Sequence, residues 1–294
     1  AYATYDKTIG DHNFKVTAGG DLEEYEFWFH SSQRRDLLDL NVGELALATG
    51  DQFVTGDRNK WTTLGAFGRI NYSFMDRYLL EVNGRYDGSS RLSAEKEWGF
   101  FPSISAGWII SNESFMEAAS PTLSHLKLRA SYGSIGNQNA NLSNIYRVMP
   151  SSNSGWVIDG VNQITTGTPG ALPASLTWET VTTLDIGVDS RFFNDRLGVS
   201  YDWYERTVSD MHSPGLTLPG TFGTGSPARN HGELTTTGWE LAVDFQHSFN
   251  NGLNISARGT LTDFEQEITK YNNTTERLPN QIPGRNFVYY EGMK

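Results

Sequence analysis

The sequence of 294 residues contains no cysteine. That absence excludes disulfide bonds, zinc sites built on thiolates, and catalysis by a thiol nucleophile. Basic residues are also scarce, since 23 Lys and Arg stand against 34 Asp and Glu, a formal charge of −11. Nucleic-acid binding depends on clustered Lys and Arg that contact phosphate, so the sequence predicts no nucleic-acid partner.

Long apolar runs are missing as well. No stretch approaches 18 consecutive apolar residues, which excludes a membrane-spanning helix. A membrane β-barrel is compatible with this absence, because its strands alternate and never produce such a run. Residues 1–6 are neither basic nor continuously apolar, so no signal peptide is visible. The pattern starts and stops in the middle of strands, as expected for a piece of a longer chain.

What the sequence does contain is period-two alternation, which is typical of strands with one apolar and one polar face. It is clearest in residues 78–86, 184–192, 197–204 and 239–246. One face of these segments carries Leu80, Val82, Ile186, Val188, Val199, Tyr201, Leu241 and Val243. The opposite face carries Glu81, Arg85, Asp185, Asp189, Asp202, Glu240 and Asp244. Helical periodicity is nearly absent, and only a short helical turn around residues 114–119 is predicted.

The fold class predicted from this pattern is all-β and antiparallel, with ten strands. We place them at about residues 1–7, 13–32, 60–74, 78–87, 100–111, 125–132, 178–192, 197–208, 233–249 and 253–268. Short connections are expected at residues 8–12, 75–77, 112–124, 194–196 and 250–252, and long ones at about 33–59, 87–99, 133–177 and 209–232. Short turns on one rim and long loops on the other indicate a transmembrane β-barrel segment, in which the apolar face meets lipid and the polar face lines the interior.

Aromatic residues crowd the short connections. They are Tyr72, Phe74, Tyr78, Trp108, Phe115, Phe192, Phe193, Phe245 and Phe249. A ring of aromatic side chains at one membrane interface would need this placement. The alternative interpretation is packing at hairpin ends in a soluble core.

Several segments contain recognisable sequence motifs in addition to their alternation. Residues 67–74 read FGRINYSF, residues 76–81 DRYLLE and residues 85–91 RYDGSSR, followed by WGFFPS at 98–103, LKLRASYG at 126–133, WE at 178–179, DIGVD at 185–189, YDWY at 201–204, NHGE at 230–233 and TGWEL at 237–241. In this order the motifs resemble the SusC/RagA family of TonB-linked outer-membrane transporters, over about residues 1–270.

The resemblance implies a barrel of roughly 22 strands with a plugged interior. It implies the bacterial outer membrane as the location, and a SusD-like lipoprotein, the TonB complex and an imported oligosaccharide or peptide as partners. We find no plug domain, no TonB-contact segment and only about ten of the expected strands. The whole of residues 1–294 is therefore expected to be part of one barrel domain, with the TonB complex acting through the missing N-terminal part.

Motifs for catalysis, metal binding or cofactor binding are absent from the sequence. The six histidines are scattered, and none forms a short metal-ligand spacing. The carboxylates on the polar strand face could serve a glycosidase, which needs only two of them. With arginines on the same face, we interpret them instead as a charge-paired, solvated wall, and we predict no enzyme, cofactor or metal.

Recognition is expected in the long loops, because the short turns are too small to hold an oligomeric ligand. The loop at residues 133–177 is the longest, and its large aromatic residues are Tyr146 and Trp156. We expect these two to contact the ligand or the lipoprotein lid. Trp61 and Trp98, near outer strand ends, are further possible stacking platforms. A soluble all-β carbohydrate-binding module and a hydrolase on a β scaffold are the alternative functions.

Overall fold

A computed structural model describes residues 1–138, 151–166, 176–213, 219–223, 226–227, 229–250, 252–271, 277–282, 285–290 and 292. Its main feature is a single ten-stranded antiparallel sheet in which each strand pairs with the next one of the sheet along the chain. The strands are β1 (Tyr2–Ile9), β2 (His12–Arg34), β3 (Gln52–Phe74), β4 (Tyr78–Ser89), β5 (Trp98–Ile109), β6 (Leu123–Asn137), β9 (Glu179–Phe192), β10 (Leu197–Ser213), β11 (Arg229–Ser248) and β12 (Asn254–Tyr271).

Two separate hairpins complete the described strands. β7 (Ser151–Ile158) pairs with β8 (Val161–Thr166) between β6 and β9, and β13 (Arg277–Ile282) pairs with β14 (Arg285–Tyr290) after β12. Short 3₁₀ helices occur at Leu45–Leu47, Ile110–Asn112, Ser114–Ala119 and Gly220–Phe222. Within the described residues, no helix is both long and apolar enough to cross a membrane.

The ten predicted sheet strands are confirmed, and so is the alternation of short and long connections. The predicted start of the third strand at about residue 60 was wrong: β3 begins at Gln52 because residues 52–59 pair with β2, so the long connection predicted at 33–59 covers only residues 35–51. Short connections join β1 to β2, β3 to β4, β5 to β6, β9 to β10 and β11 to β12, all on one rim. The predicted helical turn is the 3₁₀ helix at Ser114–Ala119. The two extra hairpins were not predicted, because the alternation in their segments is short and interrupted by Gly and Pro.

The predicted segregation of side chains by face is also present. One row of directly opposite residues crosses seven strands of the sheet, and every member is apolar or aromatic: Tyr5, Val16, Ile70, Val82, Ile104, Tyr132 and Leu184. These side chains are not enclosed, since 62% of Tyr5, 48% of Ile104 and 56% of Tyr132 is accessible. An exposed apolar face on a single sheet is the arrangement of a membrane barrel wall, whereas a soluble sandwich would bury it.

A chain of stacked aromatic rings borders this apolar face at the short-turn rim. The ring centroids of His12 and Phe74 are 4.7 Å apart, those of Phe74 and Tyr78 are 6.3 Å apart, and those of Tyr78 and Trp108 are 6.3 Å apart. These rings come from four neighbouring strands, β2 to β5, so they form a belt rather than a local pair. Such a belt is expected for an aromatic girdle at the membrane–water interface on the short-turn side.

A second aromatic group borders the apolar face at the opposite rim. Tyr86 stacks on Trp98 with ring centroids 5.0 Å apart, and Phe100 follows on the same face of β5. Tyr86 lies eight residues along β4 from Tyr78, or about 27 Å at the usual rise of a strand. With the strand tilt of a membrane barrel this becomes about 20 Å, close to the roughly 25 Å apolar band of such barrels.

Only a small enclosed core exists among the described residues. It consists of Leu92, Phe101 and Trp178, which lie on the polar face near the long-loop rim. The Trp178 ring meets the edge of Phe101 with centroids 5.3 Å apart, and its Nε1 donates to the Glu97 carbonyl at 3.0 Å. The loop between β4 and β5 thereby folds inward over the sheet.

Candidate functional site

The polar face of the sheet is organised around the guanidinium group of Arg129 in β6. Its Nε donates to Asp189 Oδ2 at 3.0 Å, and its Nη2 donates to Asp202 Oδ2 at 2.7 Å. Nη1 lies 2.6 Å from Asp202 Oδ1 and 3.5 Å from Asp185 Oδ1. One arginine thus joins carboxylates from β9 and β10, and its side chain is only 31% exposed. Three of the predicted inward-facing carboxylates are brought together here.

A glycine makes this arrangement possible. Arg129, Gly187 and Asp202 are directly opposite one another on β6, β9 and β10, so the ion pair has to cross β9 above Gly187. A Cβ at position 187 would collide with Asp202 Oδ1 and lie 2.6 Å from Arg129 Cζ. The motif DIGVD at residues 185–189 therefore has a physical meaning: two aspartates flank the glycine over which the guanidinium group passes.

The same arrangement occurs two rows of this face closer to the short-turn rim. Arg191, Gly198 and Asp244 are opposite one another on β9, β10 and β11, and Arg191 Nη1 donates to Asp244 Oδ2 at 3.0 Å. A Cβ at Gly198 would lie 2.5 Å from Asp244 Oδ1. Glycine inside a strand costs pairing stability and often marks a close approach. At both positions the close approach is that of an ion pair.

A third crossing lies nearer the long-loop rim. Arg85 donates from Nε to Asp87 Oδ2 at 3.0 Å and from Nη2 to Asp21 Oδ1 at 3.0 Å, and it passes over Gly65 to do so. Arg69 belongs to the same face and lies 3.8 Å from Glu81. The polar face is thus a wall of paired charges extending from β2 to β11, as the sequence predicted.

Two grooves run along this wall. The larger has a volume of about 820 Å³, and its lining includes Lys15, Arg69 and Arg85. The other, of about 540 Å³, is lined by residues that include Ser105 and Arg129. Both are open to solvent, and their linings combine charged and neutral polar side chains with apolar ones.

Acid–base chemistry finds no support in the carboxylates of the wall. Asp185, Asp189 and Asp202 share the charge of Arg129, and Ser200 Oγ also donates to Asp189 Oδ1 at 2.5 Å. Carboxylates held in this way stabilise the wall and are poorly placed to exchange protons with a substrate. Among the described residues, no group of three or more His, Asp or Glu is arranged to hold a metal ion.

A second constellation, which the sequence did not predict, lies at the short-turn rim around Glu113. This residue is 9% exposed and lies between the two 3₁₀ helices, Ile110–Asn112 and Ser114–Ala119, that join β5 to β6. Its Oε1 accepts hydrogen bonds from the Tyr78 hydroxyl at 2.7 Å and from Trp108 Nε1 at 3.1 Å, and its Oε2 accepts one from Arg77 Nη1 at 3.1 Å. The hydrogen bond from Tyr78, followed by those from Trp108 and Arg77, holds the pKa of the Glu113 carboxyl below its ordinary value. Glu113 therefore fixes two stacked rings of the inner aromatic belt.

The aromatic residues singled out in the sequence as possible contacts lie in different places. Trp98 lies on the apolar face, stacked on Tyr86, so it belongs to the outer aromatic group and not to a ligand platform on the polar face. Trp61 stacks on Tyr25 with centroids 5.3 Å apart on the opposite face. Tyr146 lies outside the described residues. Trp156 falls within β7, whose backbone is described while this side chain is not.

Comparisons with known proteins agree with this geometry. Residues 1–292 match the family model described as TonB dependent receptor-like, beta-barrel. The chain is 30% identical over 272 residues to the TonB-dependent receptor SusC of Bacteroides thetaiotaomicron, covering 92% of this chain and 27% of that protein. It is 33% identical over 247 residues to the TonB-dependent receptor P26 of Formosa agariphila, covering 82% of this chain and 24% of that protein. The chain spans about a quarter of the length of these relatives.

A solved structure shows the same fold. The RagAB peptide importer in its open-open state contains a chain that superposes with a TM-score of 0.86 at 25% identity, covering 99% of this chain and 31% of that one. The ten-stranded sheet is therefore a segment of a larger barrel wall. Its apolar face is the lipid side, and its polar face is the side of the lumen.

Proposed function

We propose nutrient import across the bacterial outer membrane as the function, because the chain belongs to the TonB-dependent receptor β-barrel family. That family is one of receptors and transporters located in the outer membrane, not of enzymes. The observation that carries the proposal is the two-sided wall: exposed apolar rows between two aromatic groups on one face, and several groups of ion pairs on the other.

The imported ligand is an oligosaccharide or a peptide. Support for a peptide comes from the RagAB peptide importer, and support for the receptor mode of uptake comes from the relatives that are named TonB-dependent receptors. The open grooves of the lumen wall suit either class, because their linings include polar side chains and both classes of ligand are rich in hydrogen-bonding groups. Energy comes from the TonB complex, which acts on a part of the polypeptide outside residues 1–294.

A SusD-like surface lipoprotein is the partner on the external side. The loop that contains Tyr146 and Trp156 is the proposed contact with this lid or with the ligand. All of residues 1–294 belong to one barrel domain, and the plug domain and remaining strands come from the same polypeptide. The sheet supports this division, because its described strands form an open wall whose curvature matches part of a much larger barrel.

The alternative of a soluble carbohydrate-binding module lacks support. Such a module would bury the row that includes Val16, Ile70 and Ile104, and all three side chains are instead exposed on a single sheet.

Uptake in the native host tests the proposed function. Cells that carry or lack the gene for the full-length protein would be given fluorescent oligosaccharides or peptides, and accumulation would be measured with and without a functional TonB complex. We expect gene-dependent and TonB-dependent uptake of one of the two classes. Equal accumulation in both strains for every ligand tested would contradict the proposal.

A further inference from the structure

The outer parts of β2 and β3 extend well beyond their neighbour β4. Both strands have 23 residues, and their register is unbroken from His12 opposite Phe74 to Arg34 opposite Gln52. β4 pairs with β3 only as far as Thr63 opposite Ser89. We call residues 21–34 and 52–65 the outer hairpin. Because the outer aromatic group ends near Trp98, most of the outer hairpin lies on the external side of the membrane.

The two faces of the outer hairpin exchange character relative to the membrane part. On the face that continues the lipid side, Lys60 Nζ lies 2.7 Å from Glu24 Oε1, and Arg58 Nη2 lies 2.5 Å from Glu26 Oε1. These four side chains are between 37% and 68% exposed, so this face carries solvated ion pairs, beside the exposed side chains of Trp28 and Val54. Outward-facing ion pairs are what water outside the bilayer favours.

The face that continues the lumen side becomes aromatic. We call Tyr25, Phe27, Phe29, Phe53 and Trp61 the aromatic stripe. Tyr25 is 43% exposed, Phe27 49%, Phe29 43% and Phe53 44%. Because the register has no bulge, the stripe lies on the same face as the lumen wall below it.

These exposures are those of residues 1–294 without the plug domain and the remaining strands, and an aromatic surface of this size is expected to have a partner. At the usual area of an aromatic side chain, the exposed parts of the four rings amount to roughly 300–400 Å². That is close to half of what one partner contributes to a standard protein interface, and patches of this size mark interaction sites. A two-stranded ribbon is also marginally stable in water without a cover.

The chemistry of the aromatic stripe fits a protein better than a sugar. Sugar platforms offer the open faces of Trp or Tyr, whereas here Trp61 is stacked on Tyr25 and covered by the Arg91 guanidinium group, 4.4 Å from its ring centroid. The most exposed members include three phenylalanines, which offer no hydrogen bonds to hydroxyl groups. Apolar side chains of a protein are the natural complement of such rings.

Charge adds a requirement on the partner. Residues 21–64 contain nine Asp and Glu and four Lys and Arg, a net charge of −5. A partner surface with an apolar centre and a basic rim would complement the outer hairpin, since complementary rims steer docking and exclude other partners. The lumen-side position of the stripe places that partner above the mouth of the barrel.

We propose that the aromatic stripe is the docking surface for the SusD-like lipoprotein lid, which binds it through an apolar patch edged by Lys and Arg. This inference rests on the proposed function and adds the surface and the chemistry of the contact. The outer hairpin supplies its own matched control, because Trp28 is 69% exposed and lies between Phe27 and Phe29 in sequence, on the opposite face.

Site-specific photo-crosslinking in the native outer membrane tests the proposal. A photoreactive phenylalanine analogue would replace Phe27, Trp28 or Phe29 in the full-length transporter, and the crosslinked lipoprotein would be identified by mass spectrometry. We expect at least tenfold more crosslinked lipoprotein from positions 27 and 29 than from position 28. Equal yields at the three positions, or crosslinks to the imported ligand alone at positions 27 and 29, would overturn the docking surface.

A second measurement covers variants that disturb the hairpin. F27S/F29S in the full-length protein should retain at most a tenth of the co-purified lipoprotein, while W28S should retain nearly all of it. The heat-modifiable migration of the folded barrel on gels shows whether each variant is folded, and F29S alone replaces the double variant if that one is not. Undiminished co-purification with the Ser variants refutes the docking surface and leaves the proposed function intact. No lipoprotein with the unmodified transporter refutes the proposed partner, and this inference with it.

Discussion

An arginine at position 188 would test which face of the sheet meets lipid. Val188 lies in β9 between Leu128 of β6 and Tyr201 of β10, in a row that continues to Leu241 and Leu261. All five side chains are on the apolar face. V188R would place a guanidinium group among them without changing the polar face.

The expected cost follows from the depth of the residue. Val188 is four residues along β9 from Phe192 at the short-turn rim, which is about 14 Å along the strand. At the tilt of a membrane barrel this is about 10 Å along the membrane normal, close to the middle of a roughly 25 Å apolar band. An arginine at that depth destabilises a barrel by about 2–4 kcal/mol.

A matched substitution on the polar face provides the control. Ser105 lies in β5 between Glu81 and Ser131, with a carboxylate in reach of a new guanidinium group. We expect S105R to cost less than about 1 kcal/mol, in the range of ordinary surface changes. D189R would be a poorer control, because Asp189 accepts hydrogen bonds from Arg129 and Ser200, and a second guanidinium group there would repel Arg129.

The assay is urea unfolding of the full-length protein refolded into lipid vesicles, followed by tryptophan fluorescence. Both variants and the unmodified protein would be compared in the same vesicles at the same pH. If V188R and S105R shifted the free energy of unfolding equally, the assignment of the apolar face to lipid would be wrong.

Three further predictions concern other parts of the molecule. G187A should destabilise the barrel by about 1–3 kcal/mol because its Cβ collides with the Arg129–Asp202 pair, whereas G68A, whose Cβ meets no atom within 4 Å, should be nearly neutral. The same urea assay measures both variants, and equal effects would refute the ion pair that crosses β9 above Gly187. The lowered pKa of Glu113 means that its hydrogen bonds stabilise the folded state above its ordinary pKa of 4.5 and are lost as the pH falls through the lowered value. The temperature at which the barrel unfolds, measured by heat-modifiable migration on gels, should therefore drop on acidification, and E113Q should flatten that drop. Parallel curves for the two proteins would speak against a stabilising role of the Glu113 hydrogen bonds. Deleting residues 140–172 from the full-length transporter should weaken lid association or uptake while the barrel still folds, and normal association with normal uptake would place recognition in another loop.

Much of the wall was predictable because its physics is local. Period-two alternation in residues 78–86 or 184–192 assigns each side chain to a face without any knowledge of the partner strand. Short connections such as residues 75–77 leave an antiparallel neighbour as the only solution. The membrane then explains why the exposed face is the apolar one.

Other features could not be read locally because they depend on register. The Arg129–Asp202 pair needs β6, β9 and β10 to align so that Gly187 stands between the two charges. Nothing in the separate motifs fixes that alignment. Glu113 is a similar case, because its partners Tyr78 and Trp108 come from two different strands and meet only once the short-turn rim is assembled.

The length of β2 and β3 shows a different limit. Residues 23–29 read EEYEFWF, which alternates charged and aromatic residues for part of its length, yet the following residues to 59 looked like a polar loop. In the structure β2 continues to Arg34 and β3 begins at Gln52, because the two strands pair residue by residue over this whole length. The period-two alternation was hard to follow here because the apolar and polar faces exchange above the membrane. A prediction that assumes one apolar face requires the same face to stay apolar along the whole strand.

The ion pairs reduce the electrostatic field that a strongly acidic chain would otherwise create along the polar face of the sheet. Unpaired carboxylates along the lumen would concentrate cations and repel anionic groups, because a field of one sign builds up over a lined cleft. Arg129, Arg191 and Arg85 each hold at least one carboxylate in a short contact, which offsets part of that field close to the wall. The crossing glycines leave room for these ion pairs close to the sheet, because a Cβ at Gly187, Gly198 or Gly65 would meet a charged group of the pair. The weakening that glycine brings to a strand is therefore offset by the ion pairs that cross it at Gly187, Gly198 and Gly65.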